Sequence, residues 1–218
     1  DCFFYGGVSA IMEAEMATVS RFFRDPDTSF FLFGPRGTGK STWLRSHYPD
    51  ALVVDLLDPE TQRSLTARPE RLRELVAGAA GQNPIVIDEV QKAPALLDVV
   101  HGLMERDKRH RFVLTGSSSR KLKRGGVDLL AGRALLRSMH PFVAAELGPS
   151  FDLGRALEQR LLPLVLDSSR PEDRLRSYLA LYVREEVQGE GLVRRMEGFA
   201  RFLEASSFSH ASVLNTAE

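Results

Sequence analysis

Eight consecutive residues, Gly34-Pro35-Arg36-Gly37-Thr38-Gly39-Lys40-Ser41, carry the clearest chemical signal in the chain. They fit the spacing G-x-x-x-x-G-K-[ST] of a phosphate-binding loop, the Walker A pattern. Each residue type has a reason to be there. Glycines let successive backbone N–H groups turn inward into a concave anion nest. A helix that starts at the end of the loop adds its positive N-terminus. Lys40 contributes a point charge toward the β- and γ-phosphates of a nucleotide. The Ser41 hydroxyl is small enough to enter a Mg²⁺ shell, and Thr42 completes the expected binding segment. At ordinary composition the pattern arises by chance in roughly 0.01 of 200-residue chains, so coincidence is a poor account of it.

A second signal is Ile85-Val86-Ile87-Asp88-Glu89, an apolar run ending in two carboxylates. Asp88 is expected to hold Mg²⁺ with Ser41, directly or through water, and Glu89 to polarise an attacking water. A third is Leu114-Thr115-Gly116-Ser117-Ser118-Ser119. A small hydroxyl at the end of such a strand is placed to sense a γ-phosphate or the attacking water; Ser117 is the first choice and Thr115 the second. A basic stretch follows, with Arg120, Lys121, Lys123 and Arg124, then Arg133 and Arg137, against Asp128 alone. Three readings stand: a solvated loop, contacts to nucleic-acid phosphates, or an arginine finger offered to a neighbouring subunit's nucleotide, for which Arg133 is the candidate.

These groups need a scaffold that brings strand ends together. Apolar runs at 30–33, 51–55, 85–88, 112–115 and 134–139 read as strands. Helical segments are expected at 40–48, 59–67, 69–79 and 94–106, the first stopped by Pro49 and the next two opened by prolines. Strands apolar throughout, alternating with helices, predict a parallel sheet covered on both faces, with ligands at the C-terminal strand ends. From Asp152 onward no strand is evident, and helices are expected at 153–166, 171–187 and 191–205. In the last of these, Leu192, Val193, Met196, Phe199, Phe202 and Leu203 recur at helical spacing and are expected to pack in a core. The reading divides the chain into residues 1–18, an extension outside the fold, non-native or disordered; 19–150, the nucleotide domain; and 151–218, a helical lid or linking region that is truncated.

Composition narrows the classes. Lys plus Arg number 29 and Asp plus Glu number 29 in 218 residues, so the formal charge is zero. A protein that grips nucleic acid over its whole surface is usually strongly basic, so any such contact must be local. The single Cys2 forms no internal disulfide, and the five histidines match no metal-ligand spacing. No apolar run approaches the ~18 residues of a membrane span. A cytoplasmic location is expected.

Taken together, GPRGTGKS, IVIDEVQKAP and LTGSSSRKLKRGGVDLLAGRA resemble the bacterial and archaeal AAA-type ATPases that carry an uncharacterised C-terminal domain. Gln91-Lys92-Ala93-Pro94, Leu114 to Ser118 and Leu130-Ala131-Gly132-Arg133 carry the match, with Pro141 and Glu146 beyond. It covers about residues 19–148; Tyr178, Tyr182, Glu185 and Glu186 are similar to the family's linking region. The resemblance implies a three-layer αβα P-loop NTPase fold with a parallel sheet in the order 5-1-4-3-2, followed by a helical domain that is incomplete here. It implies ATP and Mg²⁺, with hydrolysis as the reaction. Arg21 and Phe22 are adenine candidates by that analogy.

The leading expectation is a AAA-type switch or motor that hydrolyses ATP. Lys40, Asp88, Glu89, Ser117 and Arg133 are its catalytic candidates, residues 34–42 its nucleotide-binding segment, and Ser41 and Asp88 its metal ligands. A homo-oligomer and a nucleic-acid partner are both open. The alternative is a nucleotide-gated scaffold or nucleic-acid-binding module with little hydrolysis of its own. A GTPase is disfavoured, since no N-K-x-D is present.

Overall fold

The computed structural model describes residues 19–79, 81–117, 122, 130–182, 187, 193 and 195–208. The expected extension 1–18, Ser118, Ser119, most of the basic stretch at 120–124, and Glu185 and Glu186 lie outside them.

Five strands form one sheet: β1 Phe30–Phe33, β2 Leu52–Asp55, β3 Ile85–Asp88, β4 Phe112–Gly116 and β5 Leu135–Ser138. Their order is β2-β3-β4-β1-β5 and every pairing is parallel. This is the expected order read from the other edge. Side chains alternate across the sheet as a period of two requires. Phe31, Phe33, Ile85, Ile87, Phe112 and Leu114 enter one apolar cluster. Phe30, Leu32, Val86 and Val113 enter another on the opposite face.

Helices cover both faces. Helix α1, Lys40–His47, brings Leu44 to the second cluster. Helices α2 (Pro59–Ala67), α3 (Arg71–Gly78) and α4 (Leu96–Arg106) bring Leu65, Leu72, Val76, Leu96, Val100 and Leu103 to the first. Asp58 caps α2 by accepting the Thr61 N–H at 2.8 Å, and Pro59 takes the first position, where its missing donor costs nothing. Between α1 and β4, Arg111 donates to Tyr48 at 2.8 Å and also to Asp25 and the Pro26 carbonyl, tying residues 25–28 to the sheet. Burial first, and then its hydrogen bond to Asp25, push the Tyr48 phenol well above its usual value.

The cover expected on both faces thins at the two edges of the sheet. The edge strand β5 is exposed along its length, with Leu136 at 52% and Leu135 at 40%. Val53 on the other edge strand is exposed as well. The sheet order explains both, because an outermost strand has a neighbour on one side only.

Beyond β5, helix α5 spans Ala144–Leu147, α6 spans Leu153–Gln159 and α7 spans Pro163–Leu166. The single helix expected over 153–166 is therefore two. Arg160 takes a left-handed φ of 68° and its N–H returns to the Ala156 carbonyl. Pro163 cannot continue a helix begun upstream, lacking the donor and clashing with the preceding turn, so it starts a new one.

The chain divides into two compact units between Glu172 and Asp173. The second contains most of α8, Pro171–Tyr182, and all of α9, Met196–Phe208. Tyr178 stacks on Tyr182 with ring centroids 5.2 Å apart. The apolar stripe of α9 is not the core packing expected of it. No described residue of α9 is buried, and Phe202 is 60% exposed. Of the expected 191–205, Met196 to Ala205 is helical, and Gly191, Leu192 and Arg194 lie outside the described residues.

Candidate functional site

The C-terminal ends of β1, β4 and β3 lie side by side, and the candidate residues follow directly from them. Residues 34–39 leave β1 and feed α1. Gly37 and Gly39 have φ of 76° and 88°, a left-handed backbone that other residues adopt at a cost. The loop is braced from within. Thr38, fully buried, donates from Oγ1 to the Pro35 carbonyl at 2.9 Å. Lys40 is buried, and its Nζ donates to the carbonyls of Gly34 at 2.6 Å and Pro35 at 3.1 Å. The ammonium therefore stands over the loop itself. Arg36 is exposed at the loop and Thr42 is exposed on α1.

Ser41, in the first turn of α1, reaches across to β3. Its Oγ donates to Asp88 Oδ2 at 2.7 Å. The other carboxylate oxygen of Asp88 accepts a hydrogen bond from the Thr115 hydroxyl on β4. The same Thr115 oxygen accepts the Glu89 N–H at 3.0 Å. One buried hydroxyl thus orients Asp88 and anchors the backbone of Glu89. That anchor matters because Glu89 is held at φ 60°, ψ 46°, a conformation that costs a non-glycine residue about 1–3 kcal/mol. The Glu89 carboxylate accepts from Gln91 Nε2. Asp88 and Glu89 are 5% and 7% exposed, close to a buried lysine, so this end of the sheet gathers charges that water scarcely reaches.

Removing the Thr115 hydroxyl tests this bracing. Thr115→Val keeps the shape but leaves the buried Glu89 N–H without an acceptor and Asp88 short of a donor. An unsatisfied buried donor costs about 1–3 kcal/mol, and unfolding in urea should register a loss of that size. An unchanged midpoint and slope would mean that the two hydrogen bonds contribute nothing.

The other sequence candidates fall in different places. Ser117 lies one residue past β4; its Oγ is buried and has no partner among the described residues. Of the two hydroxyls weighed in the sequence, Thr115 is the one joined to Asp88. Arg133 does not join this cluster. It precedes β5, and β5 runs parallel to β1, so Arg133 stands at the opposite end of the sheet from its own phosphate loop. There its Nε pairs with Glu105 Oε1 at 2.7 Å and draws the Glu105 carboxyl below its usual range.

One contact of the site left no mark in the sequence, and one cavity was marked there only by analogy, through Arg21 and Phe22. Helix α7 packs on the phosphate loop: the Leu164 N–H donates to the Gly37 carbonyl at 3.2 Å, and a Cβ at Gly37 would lie 2.8 Å from Leu164 Cβ. Leu162 and Pro163 read only as apolar helix residues. Beside the loop lies a cavity of about 440 Å³ whose lining includes Arg21, Phe22, Phe23, Met139, His140 and Glu146. Arg21 is its keystone. It donates to the Thr38 carbonyl at 3.3 Å and to the His140 carbonyl, and its Nε lies 3.3 Å from Glu146. Its guanidinium sits 4.5 Å from the Phe142 ring centroid. Burial pulls the Arg21 pKa down and Glu146 opposes that shift.

The donor set suits one kind of metal. Ser41 and Asp88 are hard oxygen ligands, as Mg²⁺ prefers. Among the described residues no group of three or more His, Cys, Asp or Glu could hold an ion by itself. Mg²⁺ is commonly held by one or two protein oxygens together with substrate phosphates and water, so the residues present fit it.

The family model for an AAA domain matches residues 27–148, more than half of the chain. A comparison with curated proteins gives no match. Among solved structures, the chain is similar to the Aeropyrum pernix ORC1 protein in complex with DNA, at 16% identity and a TM-score of 0.38. That alignment covers 90% of this chain and 65% of the other.

Proposed function

The chain belongs to the AAA domain family, a nucleotide-binding module of the P-loop ATPase type, and on that premise we propose that it binds ATP with Mg²⁺ and hydrolyses it, as a switch or motor. The observation that carries this reading is the double grip on Asp88. Hydroxyls from the phosphate-loop helix and from β4 hold its two oxygens, and Glu89 stands next in sequence at the same strand end.

In this reading the backbone N–H groups of residues 36–39 and the Lys40 ammonium bind the β- and γ-phosphates; Pro35 has no N–H and that of Gly34 is given to the Gly116 carbonyl. Ser41 and Asp88 would hold a Mg²⁺, whose charge would offset that of the phosphates. Glu89 accepts a proton from the attacking water, and Ser117, past the end of β4, responds to the γ-phosphate. The base occupies the cavity beside Arg21, next to the loop through the Thr38 carbonyl. Arg133, remote from its own loop, acts only on the nucleotide of a second copy. Calorimetry with Mg²⁺ and ATP, followed by steady-state phosphate release, tests the whole. A folded sample that gives no heat, or that binds ATP and releases no phosphate, sinks it.

The α7 contact gives the switch a physical path. A loop that shifts when phosphates enter must move Leu164, whose N–H bonds the Gly37 carbonyl. Gly37→Ala places a Cβ at φ 76° and against Leu164. The strain is about 1–2 kcal/mol, enough to weaken ATP binding about 10-fold. Trp43, the one tryptophan of the chain, lies on α1 three residues after Lys40, so its fluorescence offers a way to follow the titration. Adding Leu164→Gly, which removes both the Cβ and the Cδ2 contacts, leaves the strained φ in place and should recover part of the loss. Full wild-type affinity in the single variant would mean that the loop does not need this geometry.

A further inference from the structure

Gln91 belongs to the 3₁₀ turn Val90–Lys92 that follows β3. Its amide is oriented without ambiguity. The Glu89 carboxylate accepts only, so the Gln91 nitrogen must face it as donor. That turns Oε1 the other way, where it is buried and has no partner among the described residues. The oxygen rests against the last residue of β4. A Cβ built on Gly116 would come 2.5 Å from Gln91 Oε1 and 3.5 Å from its Cδ. A side chain at 116 would push the Gln91 amide out of this position. The buried Oγ of Ser117, also without a partner among the described residues, belongs to the next residue.

A buried carbonyl oxygen left unsatisfied costs about 1–3 kcal/mol, so its place beside Glu89 calls for a donor. The reaction proposed above provides one. A water that attacks phosphorus has two O–H groups. One acceptor leaves it free to rotate about that bond; two acceptors pin both hydrogens and aim a lone pair at the phosphorus. We propose that Gln91 is a positioning residue for hydrolysis: Nε2 fixes the Glu89 carboxylate, and Oε1 takes the second hydrogen of the attacking water. This rests on the hydrolytic reading of the preceding section. The water oxygen bonds to the γ-phosphorus while the bond from that phosphorus to the β–γ bridging oxygen breaks. The water's proton passes to Glu89 and from there to solvent, and ADP and phosphate leave. Gln91 exchanges no proton.

The test uses the full chain and five proteins: wild type, Gln91→Met, Gln91→Asn, Glu89→Gln and the Gln91→Met/Glu89→Gln double variant. Methionine keeps the length and volume of the side chain and removes both hydrogen-bonding groups. The expected result is a fall in kcat of about 10–100-fold for Gln91→Met, with ATP affinity by calorimetry within about 2-fold of wild type. In the Glu89→Gln background the same substitution should cost distinctly less than in the wild type, because the share of its effect that passes through the carboxylate is already gone. Gln91→Asn, one methylene shorter and unable to span the gap, should match the methionine variant and guards against a folding artefact. A wild-type kcat in either single variant overturns the proposal. So does an equal fold-loss in both backgrounds, the mark of an independent structural effect. Wild-type protein that binds ATP without turnover overturns the hydrolytic reading, and the role of Gln91 with it. Turnover intact in Gln91→Met removes Gln91 alone.

Discussion

Lys40→Ala is expected to lower ATP affinity by at least about 100-fold, the largest effect of any single change in this chain. The reasoning starts from where the ammonium is. Nζ is buried and donates to two carbonyls of the phosphate loop, those of Gly34 and Pro35. Those oxygens present the negative ends of their dipoles to the place where phosphates are proposed to lie. The ammonium offsets them and adds a full positive charge. Charge-assisted hydrogen bonds are worth about 1.5–3 kcal/mol each, so losing the proposed ones to the β- and γ-phosphates accounts for a hundredfold drop or more. Lys40→Met, which keeps most of the stem, should lose nearly as much, since packing is not the main contribution. Lys40→Arg should not rescue, because a planar fork cannot replace a compact point charge between two carbonyls. Calorimetry reads the affinity, and thermal unfolding without nucleotide separates it from loop collapse. An alanine variant that is folded and still binds ATP within about 3-fold of wild type would take Lys40, and with it the phosphate-loop reading, out of the account.

What the sequence made legible follows the physics of each element. The three inner strands, β1, β3 and β4, announced themselves because short apolar runs bounded by turn residues have few other uses. The phosphate loop was legible for a different reason: backbone curvature, a lysine and a hydroxyl are all demanded at fixed spacing. The hydroxyl beside Asp88 was less so. Thr115 and Ser117 are both small and polar, and only the register of β4 decides that Thr115 faces β3 while Ser117 lies beyond the strand. Arg133 shows a similar limit. Sequence placed it after the basic stretch, but the direction of β5 puts it at the far end of the sheet.

Other features were hidden because they depend on contacts distant in sequence. Nothing in Leu162-Pro163-Leu164 advertises that it sits on Gly37; periodicity alone joined it to the preceding helix, and the left-handed Arg160 that separates them is an arginine, a residue with no turn preference. The stripe on α9 misled in the opposite sense, since helical spacing of apolar residues says that a face exists, not that anything covers it. Gln91 was visible as part of a motif, yet its use required the geometry of Gly116, whose missing side chain is what admits the amide.

The second large effect concerns Glu89. Glu89→Gln is expected to leave ATP affinity within about 2-fold and to reduce turnover by about 100-fold or more, the usual cost of removing a general base. The substitution is nearly isosteric, and its carbonyl oxygen still accepts from Gln91 Nε2, so the side chain keeps its place. The backbone is held independently: Thr115 accepts the Glu89 N–H, and the left-handed φ does not depend on the carboxylate. What is lost is basicity alone, so the effect should fall on kcat and not on binding. Asp88 should behave differently. Its oxygens are tied to Ser41 and Thr115, and Asp88→Asn turns one acceptor into a donor facing a hydroxyl, so the loss should appear as weaker Mg²⁺-dependent ATP binding as well as slower turnover. The contrast between adjacent residues is the decisive measurement. Isothermal titration of both variants with ATP, with and without Mg²⁺, sets binding apart from phosphate release. If Glu89→Gln loses affinity as Asp88→Asn does and keeps its kcat, then Glu89 holds the ligand and not the water, and the strained backbone at β3 serves binding alone.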